Sequence, residues 1–151
     1  MKIDTILVPT DFSECAAQAF SPAGSLARIF KSRIICLHVI EPVLAPAMGY
    51  APVAEALPAM DVTDELENSA ARELPELASR PEWAGLEMEE LMMHGNAASE
   101  IVSTANERGV DLIVMSAHGR SGLGRILFGS TAESVVRHAR CPVLVIKPPR
   151  C

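Results

Sequence analysis

Aromatic side chains are scarce in this chain, at 4% of 151 residues. Proteins that hold single-stranded nucleic acid stack its bases on such rings. Only Phe128 falls in the basic third of the chain, so nucleic acid is a poor partner. No apolar run exceeds strand length, which argues against a membrane span. Met1-Lys2-Ile3-Asp4 shows no apolar signal stretch, so a cytoplasmic location with no membrane attachment is expected. The four cysteines (Cys15, Cys36, Cys141, Cys151) have no Cys-x-x-Cys spacing, which argues against a zinc knuckle or redox pair. Cys36, inside an apolar run, reads as a core thiol. Cys15 reads either as a thiol activated by a helix N-terminus or as a small helix residue. Also missing are a Gly-x-Ser-x-Gly elbow, a His-Glu-x-x-His pair and paired catalytic carboxylates.

What remains is the composition of one soluble domain, 49% hydrophobic and 21% charged, long enough for one sizeable core and too short for two. The net charge of −6 is unevenly spread. After residue 116, six Lys or Arg face the single acid Glu133, leaving +5; the first 116 residues carry −11. A basic third in an acidic protein suits a small anionic ligand.

That basic third holds the most informative stretch, residues 112–131. An apolar run, Leu112 to Met115, opens into a loop with Gly119, Gly122, Gly124 and Gly129, and then into a helix beginning at Ser130. Strand, glycine loop and helix N-terminus together bind phosphate. Glycines let the backbone approach an anion, and the first helical N–H groups lack partners and carry the positive end of the dipole. Gly124 to Thr131 spells Gly-x4-Gly-Ser-Thr but lacks the P-loop lysine, and Gly119-x-x-Gly122-x-Gly124 reverses the dinucleotide spacing. The loop therefore points to a nucleotide site of another kind.

Along the chain, strand and helix patterns alternate. Thr5 to Val8 is a short buried strand ending at Pro9. Ser13 caps a helix reaching about Lys31, with a kink or restart at Pro22 and Ser21 as a local cap. Arg33 to Ile40 is a second, central strand. Residues 41–60 read as a long loop of Pro, Ala and Met: a lid, a partner surface or simple packing. A helix follows from Asp61 to Arg80, capped near Thr63 or Asp61, with Pro75 arguing for a kink or an earlier end. Leu86 to His94 reads as an edge strand. Asn96 opens a third helix closed by Gly109, and Asp111 to Met115 is the fourth strand. Ser130 and Glu133 form a capping box for a helix to about Arg140. Pro142 to Lys147 is the fifth strand. Five strands alternating with four helices predict an α/β domain with a doubly wound parallel five-stranded sheet and helices on both faces. Ligands in such sheets bind beyond the carboxyl ends of the strands, where strand order reverses. Pro9-Thr10-Asp11 and the glycine loop both sit at strand ends, and a shared site makes the first and fourth strands neighbours.

Val8-Pro9-Thr10-Asp11-Phe12-Ser13, His38-Val39 and the run from Asp111 to Lys147 resemble the universal stress protein family over nearly the whole chain. The most specific part is the motif Gly-x-x-Gly-x9-Gly-[Ser/Thr], which falls on Ser116-Ala117-His118-Gly119, the nine residues Arg120 to Phe128, and Gly129-Ser130. The resemblance implies the strand order 3-2-1-4-5, a homodimer pairing the last strand (Pro142 to Ile146), and ATP or another adenine nucleotide as ligand. It assigns Pro9, Thr10 and Asp11 to the adenosine and Val39 to the adenine. Met115, Ser116, His118, Gly119 and Arg120 belong to the stretch around the ribose and phosphates. Gly129, Ser130 and Thr131 would present N–H and hydroxyl groups to the phosphates. Mg²⁺ would come held by phosphates and water, with few protein ligands.

Ser116 departs from the motif's first glycine. A position needing φ > 0 would be strained by about 1–3 kcal/mol, whereas a hydroxyl offers a hydrogen bond in exchange. Each residue also has a plainer reading: Asp11 as a helix cap, the glycines as loop formers, His118 as a local hydrogen-bonding group rather than a base. His38 reads as a satisfied core histidine, and His94 and His138 show no ligand spacing. The favoured function is a nucleotide-binding regulatory module of the stress response. The alternatives are a nucleotide-independent interaction protein of the same fold and a slow ATPase, since no group is evidently committed to activating water.

Overall fold

A computed structural model describes residues 2–42, 59–119 and 128–147. Strand β1 (Thr5–Thr10) is buried along its whole length, two residues longer than the apolar run alone suggests. Ser13 then caps α1 (Glu14–Ala17), its Oγ accepting from Ala16 N. The expected restart occurs, but two residues before Pro22: the second helix, α2 (Phe20–Phe30), is capped by Ala19 with no side-chain bond. Ser21 is therefore not a cap. Pro22 lies in the first turn of α2, where its missing N–H would have had no intrahelical acceptor, so the proline breaks nothing. Strand β2 spans Arg33–Ile40.

Of the expected loop over 41–60, residues 43–58 lie outside the described residues. Helix α3 begins at Ala59 and runs to Ala78, so Asp61 and Thr63 lie inside it and do not cap it. It continues through Pro75 instead of ending there. Buried Leu74 and Leu77 anchor the helix to the core on both sides of the proline, and it ends one turn later. A 3-10 turn (Pro81–Trp83), not anticipated from the sequence, buries Trp83. Edge strand β3 (Met88–His94) follows. Helix α4 (Ala97–Glu107) is capped by Asn96, and Gly109 closes it at φ +60°.

Strand β4 (Leu112–Ser116) and helix α5 (Ser130–His138) bracket the glycine loop. The expected capping box does not form. The N-cap is Gly129, with no side-chain bond, and Glu133 pairs with Arg137 at 2.8 Å instead. Because Ser130 is already the first helical residue, its hydroxyl cannot act as the cap. The helix also stops two residues before Arg140. Strand β5 (Val143–Ile146) completes a parallel sheet of order β3-β2-β1-β4-β5.

Alternation along the strands builds two cores. Ile6, Val8, Ile34, Cys36 and Val114 meet α2 and α3 through Phe20, Ala23, Leu74 and Leu77. Leu7, Ile35, Leu37, Ile113 and Met115 meet α4 and α5 through Ala98, Ile101, Ala132 and Val135. Burial of both faces explains why the central strands read as unbroken apolar runs. Cys36 is fully buried, and desolvation pushes its thiol up to about 12, which fits an inert core residue.

Candidate functional site

The reversal of strand order falls between β1 and β4. Strand β1 pairs with β2 over six residues, Thr5 to Thr10, but with β4 only at Ile6↔Leu112 and Leu7↔Ile113. Pro9 accounts for the difference. The Thr5 carbonyl accepts from Asp111 N, so residue 5, and by alternation 7 and 9, direct their backbone groups toward β4. The next rung needs an N–H from residue 9, which proline lacks. Pairing ends there, and the last three residues of each strand continue toward their carboxyl ends without pairing to one another. A proline in a central strand is otherwise unfavourable; here it stands at the mouth of a cavity.

That cavity, of about 550 Å³, is lined by Pro9, Thr10 and Asp11 from β1 and its exit, and by Val39 from β2. Met115, Ser116, His118 and Gly119 line it from β4 and its exit, and Gly129, Ser130 and Thr131 from the start of α5. Eleven of the twelve residues expected from the sequence thus share one space. The twelfth, Arg120, lies outside the described residues, as do Gly122 and Gly124.

At the β1 side, Asp11 Oδ1 accepts from the backbone N (3.0 Å) and the hydroxyl (2.5 Å) of Ser13. The carboxylate is thereby fixed at the start of α1, and its Oδ2 lies against Gly119, where a Cβ would come within 2.4 Å. Helix-capping support and cavity lining are therefore the same arrangement. Phe12 adopts φ +62°, a left-handed conformation that costs a non-glycine residue about 1–3 kcal/mol. Its N–H donates to Thr10 Oγ1 at 3.0 Å, and its ring stacks on His38 at 4.3 Å. His38 is buried with Nδ1 2.9 Å from the Thr10 carbonyl oxygen, as expected of a satisfied core histidine, though it also lines the cavity.

At the β4 side, Ser116 is a strand residue, and the positive-φ non-glycine residues described are Phe12 and Lys31. Serine therefore sits at the motif's first glycine position without backbone strain. The Gly129 N–H donates to the Ala117 carbonyl at 2.7 Å, closing the glycine loop at its base. That N–H is consumed inside the protein rather than offered to a phosphate. The N–H groups of Ser130, Thr131 and Ala132 lack intrahelical acceptors, since the first helical bond runs from Glu133 N to the Gly129 carbonyl.

The N-termini of α4 and α5 at the cavity differ. Helix α4 is filled internally: Asn96 Oδ1 accepts from Ser99 N, and Glu41 Oε1 accepts from Ala97 N at 2.9 Å. Helix α5 begins with a glycine that supplies no side-chain acceptor, so its positive end faces the cavity uncapped. Glu41, Glu73 of α3 and Asp11 are carboxylates in the lining. The cavity thus combines open backbone N–H groups at α5 with the carboxylates of Asp11, Glu41 and Glu73.

The lining also holds Phe12, Glu41 and four α3 residues, Leu66, Ser69, Ala70 and Glu73, none expected from the sequence. An amphipathic helix pattern gives the buried stripe of α3 but not which turn reaches past the sheet edge.

The universal stress protein family profile matches residues 2–147. The chain belongs to the universal stress protein family. It is 30% identical to universal stress protein MJ0577 of Methanocaldococcus jannaschii over 151 residues, covering 94% of this chain and 93% of that one. The MJ0577 structure superposes with a TM-score of 0.85 over all of both chains. A universal stress protein solved in complex with cAMP is 25% identical with a TM-score of 0.70, covering 97% of this chain and 98% of that one. The Archaeoglobus fulgidus family member solved in complex with dAMP is 26% identical with a TM-score of 0.62, covering 97% and 100%. Among the described residues, no helix of this universal stress protein is long and apolar enough to cross a membrane.

Proposed function

We propose that this universal stress protein binds an adenine nucleotide in the crevice between β1 and β4, as a regulatory module of the cytoplasmic stress response. The observation that carries the reading is the convergence of Pro9 to Asp11, Val39, Met115 to Gly119 and Gly129 to Thr131 on one cavity. Its volume lies in the range of small-ligand sites. The cAMP and dAMP complexes of family members support adenine as the base. The uncapped N-terminus of α5 receives the phosphate end, with the Ser130 and Thr131 hydroxyls as further donors. The base lies toward Val39. ATP or a shorter adenylate satisfies these requirements. Among the described residues no cluster of three or more His, Cys, Asp or Glu could hold a metal, so Mg²⁺ would be carried by the phosphates. Among the described residues the outer edge of β5, where Leu144 is exposed, has no partner strand, which supports a homodimer through that strand.

Calorimetric titration with ATP and AMP, with and without Mg²⁺, tests this reading. Gly129 has φ −67° and ψ 159°, angles open to any residue, while a Cβ there would lie 3.3 Å from the Ala117 carbonyl oxygen, so Gly129→Val crowds the base of the loop. The variant should keep its far-UV spectrum while losing at least roughly tenfold in affinity, a change of about 1.4 kcal/mol. Unchanged affinity would contradict the assigned site.

A further inference from the structure

Ser116 occupies the position of the motif's first glycine, and its side chain asks for a partner. It is 7% exposed and lines the cavity. A hydroxyl offers one donor and two acceptor sites. The Ser116 oxygen accepts from His118 N at 3.4 Å, beyond the usual 2.7–3.2 Å of an N–H···O bond. Its proton has no acceptor among the described residues. The neighbouring rim hydroxyl, Thr10 Oγ1, accepts from Phe12 N at 3.0 Å, so Ser116 is the less satisfied of the two. Buried polar groups are almost always paired, and the backbone gains nothing from serine here, because the position needs no special angle. The side chain itself is therefore the reason to look for a ligand contact.

We propose that the Ser116 hydroxyl is a specificity-determining donor, giving a hydrogen bond to an oxygen of the ribose–phosphate part of the bound nucleotide. This inference rests on the nucleotide reading of the cavity. It places a side-chain contact at the end of β4 where a glycine could offer only backbone.

The test is calorimetric titration of the wild-type protein and the variants Ser116→Ala, Ser116→Gly and Ser116→Thr with AMP and with adenosine, alongside thermal melts without ligand. Loss of one ligand hydrogen bond predicts about tenfold weaker AMP binding for Ala and for Gly. Threonine, which keeps the hydroxyl and favours a strand, should restore binding to within about threefold. Melting temperatures of Ala and Thr variants that match the wild type show that the fold is not the cause. Weakening with both ligands assigns the acceptor to the ribose; weakening with AMP alone assigns it to the phosphate. Either pattern supports the proposal. Equal affinity in Ser116→Ala, or Ser116→Gly binding as tightly as wild type, overturns it while leaving the nucleotide reading standing. A wild-type protein that binds neither ligand overturns that reading, and this inference with it.

Discussion

A Cβ built on Gly119 would lie 2.4 Å from Asp11 Oδ2, and no left-handed φ is involved. This glycine is required by a neighbouring carboxylate rather than by its own backbone. Gly119→Ala should therefore push the Asp11 carboxylate away from its bonds to Ser13. Overpacking of this kind costs about 1–3 kcal/mol, and we expect adenylate affinity to fall roughly tenfold or more, read by calorimetry, with the strand content retained in circular dichroism. The motif itself was legible in the sequence at this scale, since glycine spacing survives any detail of loop conformation. The roles were less so. Whether position 116 needs φ > 0 depends on where β4 ends, and it ends one residue later than the apolar run implies. Gly129 was expected to offer its N–H outward, but the Ala117 carbonyl takes it, a contact across the loop that no local pattern encodes.

Pro9 links residue to element. It removes the N–H that would extend the β1–β4 ladder at the place where the crevice begins. Pro9→Val should restore that rung, worth about 1 kcal/mol, while freeing the unfolded chain at a cost of about 0.4–1 kcal/mol. The melting temperature should stay nearly constant. Adenylate affinity should fall as the ladder continues past Leu7↔Ile113, and protection of the residue 9 amide in hydrogen exchange would report the new rung. Equal affinity with a protected amide would show that the crevice does not depend on the broken ladder. The elements themselves were readable because their apolar periodicity is strong, and β2 and α4 were placed closely. Prolines and caps misled where tertiary contacts prevail. Pro22 falls in a first turn that has no use for its N–H, and Pro75 is held between two core leucines. The N-terminus of α5 has a glycine cap where a capping box was expected, and that same feature leaves its N–H groups open to a ligand.

For the whole molecule, the strand order came from the family resemblance, because alternation of strands and helices is compatible with several orders. The acidic first 116 residues and basic remainder fit a site whose anion-binding end is built by β4 and α5. Oligomerisation belongs to this scale too. Ile113 N donates to the Pro142 carbonyl and Ala117 N to the Ile146 carbonyl, so even-numbered residues of β5 face β4 and Val145 directs its N–H to the open edge. Val145→Pro should thus spare the sheet and block strand pairing between copies. In sedimentation, the wild type should run at twice the 16.2 kDa chain mass and the variant at that mass. A wild-type monomer, or a dimeric variant, would rule out the β5 interface. The central claim, that the β1–β4 crevice holds an adenine nucleotide, is tested most directly on freshly purified protein. The protein is denatured, the precipitate removed, and any released nucleotide identified by chromatography and mass spectrometry, with calorimetry on any empty preparation. The account predicts an adenine nucleotide, carried through purification or bound on addition, near one per chain. A preparation that releases none and binds neither ATP nor AMP would contradict it.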